Sequence, residues 1–314
     1  KHWFQPVACE DINEIEGKLT LRVPDASHGE WIQENFLDHI RQAMGQVSPT
    51  KWSISFHAVT EEVKDKRSQE PLLKQISLAP RLIPHYRFDQ FVHGPNNQFA
   101  LTAARAVAER PGFQYNPLFL YGGVGLGKTH LLHAIGHEVR RTNPNAQVLY
   151  VTSETFVNDL IRAIRSGRMD DFRERYRDNC DVLLIDDIQF IAGKDRTQEE
   201  FFHMFNTLHS YGKQIVLTCD QLPRSIPDME DRLRSRLEWG LIADIKPPSF
   251  ETRVAIVRSK AETEGTAIEP EVAMFLARHI DRNVRELEGA LRRLIAQSRM
   301  FSSAITMGMV QEVL

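Results

Sequence analysis

Leu118-Phe119-Leu120-Tyr121-Gly122-Gly123-Val124-Gly125-Leu126-Gly127-Lys128-Thr129 sets an apolar run directly before the pattern G-x-x-x-x-G-K-T. Each part of that pattern has a physical job at a phosphate. The glycines let backbone N–H groups curl around an anion with no Cβ in the way. Lys128 is placed to neutralise the β and γ phosphates of a nucleoside triphosphate, and the Thr129 hydroxyl to ligate Mg²⁺. From His130 onward apolar residues recur at helical spacing, so a positive helix N-terminus should face the same anion. A glycine-rich turn without a ligand is the bland alternative. The strand pattern before it and the helix pattern after it weigh against that.

A phosphate loop of this kind needs a second acid. Val182-Leu183-Leu184-Ile185-Asp186-Asp187 runs four apolar residues, the pattern of a buried strand, into two carboxylates. Sheets of alternating α/β type place their ligands at that end of the strand. Asp186 is expected to hold Mg²⁺, directly or through water, and Asp187 to orient or deprotonate an attacking water.

Working outward, apolar runs at 118–120, 148–151, 182–185 and 215–217 alternate with helical periodicity at 131–140, 156–165 and 199–208. The alternation predicts an α/β fold with a parallel sheet covered on both faces. Strands should stop near Pro247, leaving 248–314 as a helical lid behind an α/β nucleotide-binding subdomain over 82–247. Residues 1–63 read as a small α+β unit. Leu19, Leu21 and Val23 alternate as one strand, Trp52, Ile54 and Phe56 as another, and Trp31, Ile32, Phe36, Leu37 and Ile40 recur as a helix. Residues 64–81, charged and then bracketed by Pro71 and Pro80, read as a linker.

Hydrophobic residues at 42% and charged residues at 26% suit a globular chain of 314 residues. A net charge of -3 excludes a uniformly basic coat for nucleic acid, so any DNA contact must be a local patch. Cys9, Cys180 and Cys219 have no metal-ligand spacing, and no apolar run is long enough for a membrane span. Both point to a reduced cytoplasmic compartment.

The segment Asn116 to Leu131, with Leu184-Ile185-Asp186-Asp187-Ile188-Gln189-Phe190, closely resembles the nucleotide-binding motifs of the DnaA initiator family. AAA+ ATPases usually carry Asp-Glu at the second motif, and Asp-Asp followed by Ile-Gln-Phe narrows the likeness. The similarity runs over about 86–314. His2-Trp3-Phe4-Gln5-Pro6 resembles, more weakly, the family's KH-like N-terminal domain. The resemblance implies an AAA+ P-loop fold with a helical lid behind a KH-like unit, and ATP or ADP with Mg²⁺ as ligands. Gly122, Gly123, Val124, Gly125, Leu126, Gly127, Lys128, Thr129 and His130 would bind the nucleotide, with Thr129 and Asp186 on the metal.

Further roles come by the same resemblance. Asp220, after Thr218-Cys219, falls at the sensor 1 position and would read the γ-phosphate. Arg236, in Asp231-Arg232-Leu233-Arg234-Ser235-Arg236, matches the arginine finger that reaches a neighbouring subunit's γ-phosphate. Arg285, in Asn283-Val284-Arg285-Glu286-Leu287-Glu288-Gly289, matches sensor 2, which touches the nucleotide in cis. Tyr86 to Val92 resembles the strand and turn that pack against adenine. On spacing alone, Arg236 also reads as a surface arginine, Arg285 as a helix pair with Glu288, and 86–92 as aromatic core.

An inserted helix over about 155–178 separates initiators from other AAA+ proteins. Ile161 and Arg162 there, with Arg196, match positions that grip single-stranded DNA. Without the resemblance, Arg162, Arg165, Arg168, Arg173, Arg175 and Arg177 read as a solvated basic helix face balanced by Asp159, Asp170, Asp171 and Glu174. The resemblance places origin reading in a helix-turn-helix domain beyond Leu314. Its other implied partners are a head-to-tail filament of the same chain, a replicative helicase at the N-terminal domain and acidic phospholipid.

The expectation is an ATP-dependent initiator of chromosomal replication with weak ATPase activity. A related regulatory adaptor acting on the initiator or the sliding clamp is the alternative. A small-molecule kinase is a third reading, which the Arg236 and Arg285 positions disfavour.

Overall fold

The computed structural model describes residues 7–13, 17–23, 52–58 and 82–313, apart from 282 and 302, with isolated helical positions between 32 and 45. The Trp-Phe segment at 2–6, Trp31 and the linker at 64–81 lie outside the described residues. Two compact units divide between Pro71 and Leu72.

In the first unit, β1 (Ala8–Asn13) pairs antiparallel with β2 (Lys18–Val23), and β3 (Ser53–Ala58) pairs parallel with β2. Among the described residues, Leu19, Val23, Ile32 and Trp52 are its buried apolar side chains. Strands β2 and β3 are the two that alternation predicts. β1 was not expected, because Ala-Cys-Glu-Asp-Ile-Asn shows no period-two pattern.

The second unit is built on five parallel strands: β4 (Leu118–Gly122), β5 (Val148–Thr152), β6 (Val182–Asp186), β7 (Gln214–Cys219) and β8 (Leu241–Ile245), in the order β5-β6-β7-β4-β8. Helices α1 (Gln98–Glu109) and α2 (Lys128–Thr142) cover one face, α3 (Ser153–Arg165) and α5 (Asp195–Ser210) the other. The period-two alternation of strands divides the side chains between them. Leu118 and Leu120 point to the first core and Phe119 to the second; Leu184 and Ile185 are split the same way. Such double coverage explains why the central strands read as continuous apolar runs.

Two expectations need correction. Four strands were expected, and the fifth, β8, lies at the sheet edge, where only Ala243 and Ile245 are buried. The inserted segment is not one helix. α3 stops at Arg165, Gly167 turns the chain at φ 64°, and α4 (Met169–Arg173) leads into a π turn over Glu174–Asp178. Gly167 is the physical reason, since that backbone conformation cannot continue a right-handed helix.

After α6 (Asp231–Glu238) and β8 come four helices, α7 (Phe250–Thr263), α8 (Pro270–His279), α9 (Val284–Phe301) and α10 (Met307–Val313). They enclose their own apolar cluster around Val257, Leu276, Leu287, Leu291 and Val310.

Candidate nucleotide site

Residues 123–127 form the turn between β4 and α2. Two glycines there adopt backbone that side chains resist, Gly125 at φ 75° and Gly127 at φ 102°. A Cβ on Gly125 would lie 3.0 Å from the Cβ of Arg285 and 3.1 Å from Asn283 Oδ1, and one on Gly127 would press the Phe91 ring at 3.0 Å. The helical lid is bonded to this turn, because the Val284 N–H donates to the Gly125 carbonyl at 3.1 Å. A cavity of about 500 Å³ opens over it, lined by 124–130, by Tyr86 and Phe91, by Asp187 and Asp220, and by lid residues including Arg285. That volume is in the range of small-molecule and cofactor sites.

Lys128 is buried, and its Nζ donates to the carbonyls of Gly122 at 2.7 Å and Gly123 at 2.9 Å. Burial lowers its pKa, opposed by the carboxylates of Asp187, Asp186 and Asp220. The amine is thus held at the loop among three acids, placed to exchange carbonyls for phosphate oxygens.

Asp186, at the end of β6, accepts from Thr129 Oγ1 at 2.8 Å, Thr218 Oγ1 at 2.5 Å and the Tyr150 hydroxyl at 3.2 Å. Thr129 and Asp186 are thereby brought together, as two ligands of one cation require. Asp187 takes a left-handed backbone, φ 56°, held by its N–H donating to Thr218 Oγ1 at 2.8 Å. Its pKa is raised by burial and then by Asp186, while Gln189 Nε2, donating at 3.3 Å, acts the other way. Thr218 and Tyr150 were not predicted as site residues. Thr218 buttresses both acids from the next strand, a contact across 32 residues that no local pattern announces.

His130 points back from α2 and donates from Nε2 to the Arg87 carbonyl at 2.8 Å, stacked on Tyr86 at 4.8 Å and edge-on to Phe91 at 5.2 Å. It shapes the aromatic wall. His133 accepts the Ile83 N–H on Nδ1 at 3.1 Å. Burial lowers the pKa of both histidines to about 4. The unfolded chain therefore binds protons below about pH 6.5 that the native state refuses, so stability falls as pH drops from there towards 4. We expect a lower urea midpoint at pH 5 than at pH 7. An unchanged midpoint would contradict neutral burial of these rings.

In the lid, Arg285 lines the cavity. Its alternative partner Glu288 instead pairs with Lys260 at 2.9 Å and Arg292 at 3.7 Å. Lys260 and Arg292 also line the cavity and were missed by sequence reasoning, since helix faces that converge on a site carry no shared motif.

Arg236 lies on α6 and does not line this cavity. Ile161 is 41% exposed on α3, and Arg162 and Arg196 are exposed. Much of the remaining basic character of the insert is internally paired. Arg168 meets Asp171 at 3.2 Å, Arg173 meets Glu200 at 3.2 Å, and Arg177 meets Asp178 at 2.7 Å. Arg175 is buried beside Asp159 at 3.8 Å, and Arg162 reaches the same carboxylate at 4.0 Å. None of the described helices is long and apolar enough to cross a membrane.

A glycine turn clasped by its own helical lid at the end of a parallel sheet makes this an AAA+ P-loop ATPase domain. Residues 82–244 match the bacterial DnaA ATPase domain. Across an alignment of 326 residues the chain is 45% identical to the chromosomal replication initiator protein DnaA of Geotalea uraniireducens (strain Rf4), covering 99% of this chain and 72% of that one. The chain belongs to the DnaA family of replication initiators. Among solved structures, domain III of the Thermotoga maritima replication initiation protein DnaA matches with TM-score 0.73 and 46% identity, over 74% of this chain and 97% of that one. A replication initiator DnaA bound to AMPPCP and single-stranded DNA matches with TM-score 0.63 and 38% identity, over 68% of this chain and 65% of that one.

Proposed function

We propose that this initiator uses ATP as an assembly switch in the cytoplasm. The triphosphate held by one protomer is read by Arg236 of the next, and head-to-tail growth extends a filament that engages single-stranded origin DNA. One observation carries the reading: Arg236 stands outside the cavity of its own protomer. The phosphate it serves is then a neighbour's. A heterologous contact of this kind gives a filament when its rotation does not close a ring.

Within a protomer, the 123–127 turn and Lys128 hold the β and γ phosphates, and Arg285 reaches the nucleotide from the lid. Thr129 Oγ1 and Asp186 Oδ2, 2.8 Å apart, fit Mg²⁺, which takes few protein ligands and keeps several waters. Bound there, the ion would spread charge on the β and γ oxygens. Asp187, fixed beside Asp186 at the end of β6 and lining the cavity, is placed to act as general base for slow hydrolysis that resets the switch. Asp220 reads the γ-phosphate through a water or cation, because two anions in direct contact repel.

Exposed Ile161, Arg162 and Arg196 supply an apolar side chain and cations, the chemistry of sequence-tolerant strand binding. The DnaA neighbour bound to AMPPCP and single-stranded DNA supports this assignment. A replicative helicase at the first unit and acidic phospholipid complete the proposed partners. Sedimentation and binding of a labelled single strand, compared in ATP and ADP, test the switch. Larger species and tighter binding are expected in ATP. Identical behaviour in the two nucleotides would overturn it.

A further inference from the structure

Three arginines share α6, and their side chains are held in different ways. Arg232 Nε contacts Glu230 at 2.5 Å, and Arg234 pairs with Asp231 at 2.5 Å while donating to the Met229 carbonyl at 2.9 Å. Arg236 has no carboxylate within ion-pair distance among the described residues. Its guanidinium instead lies over the Trp239 ring, 4.5 Å from the centroid; the Phe202 ring, 5.9 Å away, is shared with Arg232, which lies closer to it at 5.0 Å.

The tryptophan is itself anchored. His209 stacks on Trp239 at 4.7 Å with planes 24° apart, and its Nε2 is 3.2 Å from the Asn116 carbonyl, which it serves as donor. Phe205, fully buried in the core, lies parallel beneath His209 at 6.1 Å and 9°. A stack thus rises from the core through Phe205, His209 and Trp239 to the cation. Its top is open, with Trp239 57% exposed.

We infer that Trp239, with Phe202 as a more distant flank, forms an aromatic clamp that positions Arg236 for the neighbouring protomer's phosphate while leaving its full charge unspent. An aromatic face attracts a guanidinium through its quadrupole but supplies no counter-charge. A carboxylate in the same place would hold the side chain equally well. It would also have to be displaced by the incoming triphosphate, whose binding would then be weakened by the loss of the ion pair. A ring face accepts no N–H hydrogen bond of the ordinary kind, so the guanidinium donors stay available for bidentate contact with phosphate oxygens. Trp239 and Phe202 are positioning residues, and they touch no nucleotide of their own protomer, because neither lines its cavity. The inference rests on the trans reading of Arg236.

The test measures ATP-dependent assembly by sedimentation velocity over a concentration series for the intact chain and four variants. Trp239→Leu should raise the concentration needed for half-assembly about three- to tenfold, the size of a cation–π contact. Trp239→Phe, which keeps an aromatic face, should restore it to within about twofold of the parent. Phe202→Leu should have a smaller effect, since its ring is the more distant. ATP affinity of the isolated protomer, measured in parallel, should be unchanged in all three and reports that each is folded. Should Trp239→Leu fail to bind ATP, Trp239→Met takes its place under the same outcomes, weakened assembly supporting the clamp and normal assembly overturning it. Normal assembly of Trp239→Leu, or a Trp239→Phe variant as impaired as Trp239→Leu, would overturn the clamp. Arg236→Ala separates the two ideas. If it assembles normally, the trans reading and the clamp both fall; if it fails while Trp239→Leu assembles normally, the clamp alone falls.

Discussion

Arg236→Ala should remove ATP-dependent assembly while leaving the protomer's own grip on ATP intact. The split follows from placement. Arg236 is outside the cavity that Lys128, Asp187 and Arg285 line, so its loss deletes no contact to the nucleotide of its own protomer. At a seam between protomers it would face a polyanion from which water is excluded. Truncating one partner of such a charge pair costs about 2–5 kcal/mol, roughly thirtyfold or more in association. Sedimentation in ATP should then show a single small species at concentrations where the parent chain assembles. Titration with a fluorescent nucleotide should give parental affinity. Lost nucleotide affinity would mean that Arg236 acts in cis.

Lys128→Ala should have the larger effect on the protomer itself. The substitution leaves Asp186, Asp187 and Asp220 around the phosphate turn without the Lys128 charge that they act on. The triphosphate would lose an attraction and meet three carboxylates no longer offset. Loss of a buried charge-assisted contact costs about 2–5 kcal/mol, and the added repulsion works in the same direction. We expect at least about a hundredfold weaker ATP binding and, as a consequence, no ATP-dependent assembly. The fold should survive, since among the described residues Lys128 Nζ bonds only to the Gly122 and Gly123 carbonyls. Retained affinity would show that the turn does not hold phosphate.

The two variants differ in what they leave intact. Arg236→Ala keeps a loaded cavity and lacks the finger; Lys128→Ala keeps the finger and lacks the ligand.

The parts of this site that lie together in the chain were legible in the sequence. The turn from Gly122 to Thr129 and the acids Asp186 and Asp187 each sit at the end of an apolar run, because a strand buried on both faces must be apolar along its length. Residues joined across the sheet were not legible. Thr218 reaches Asp186 from another strand, and Lys260, Glu288 and Arg292 meet over the cavity from two lid helices. Nor was the edge strand β8. With one neighbour and few buried side chains, Leu-Ile-Ala-Asp-Ile carries a weaker pattern than the central strands. Single residues decided other failures, as Gly167 did in splitting the inserted helix.

The stack beneath Arg236 shows the same limit. Phe202 and Trp239 lie on different segments and become neighbours only when α5 and α6 pack beside each other. The sequence shows three arginines at alternate positions and gives no sign of which keeps its charge free. Arg232 and Arg234 pair locally with Glu230 and Asp231, and the ring under Arg236 arrives only through packing.

The most direct measurement mixes Arg236→Ala and Lys128→Ala protein in equal amounts with ATP. Only one kind of seam can form, between the loaded cavity of the first and the finger of the second. Sedimentation velocity should therefore show each variant alone as single protomers and the mixture as a discrete two-protomer species that grows no further. No association in the mixture, or association of either variant alone to the extent of the parent chain, would contradict a triphosphate held by one protomer and read by its neighbour.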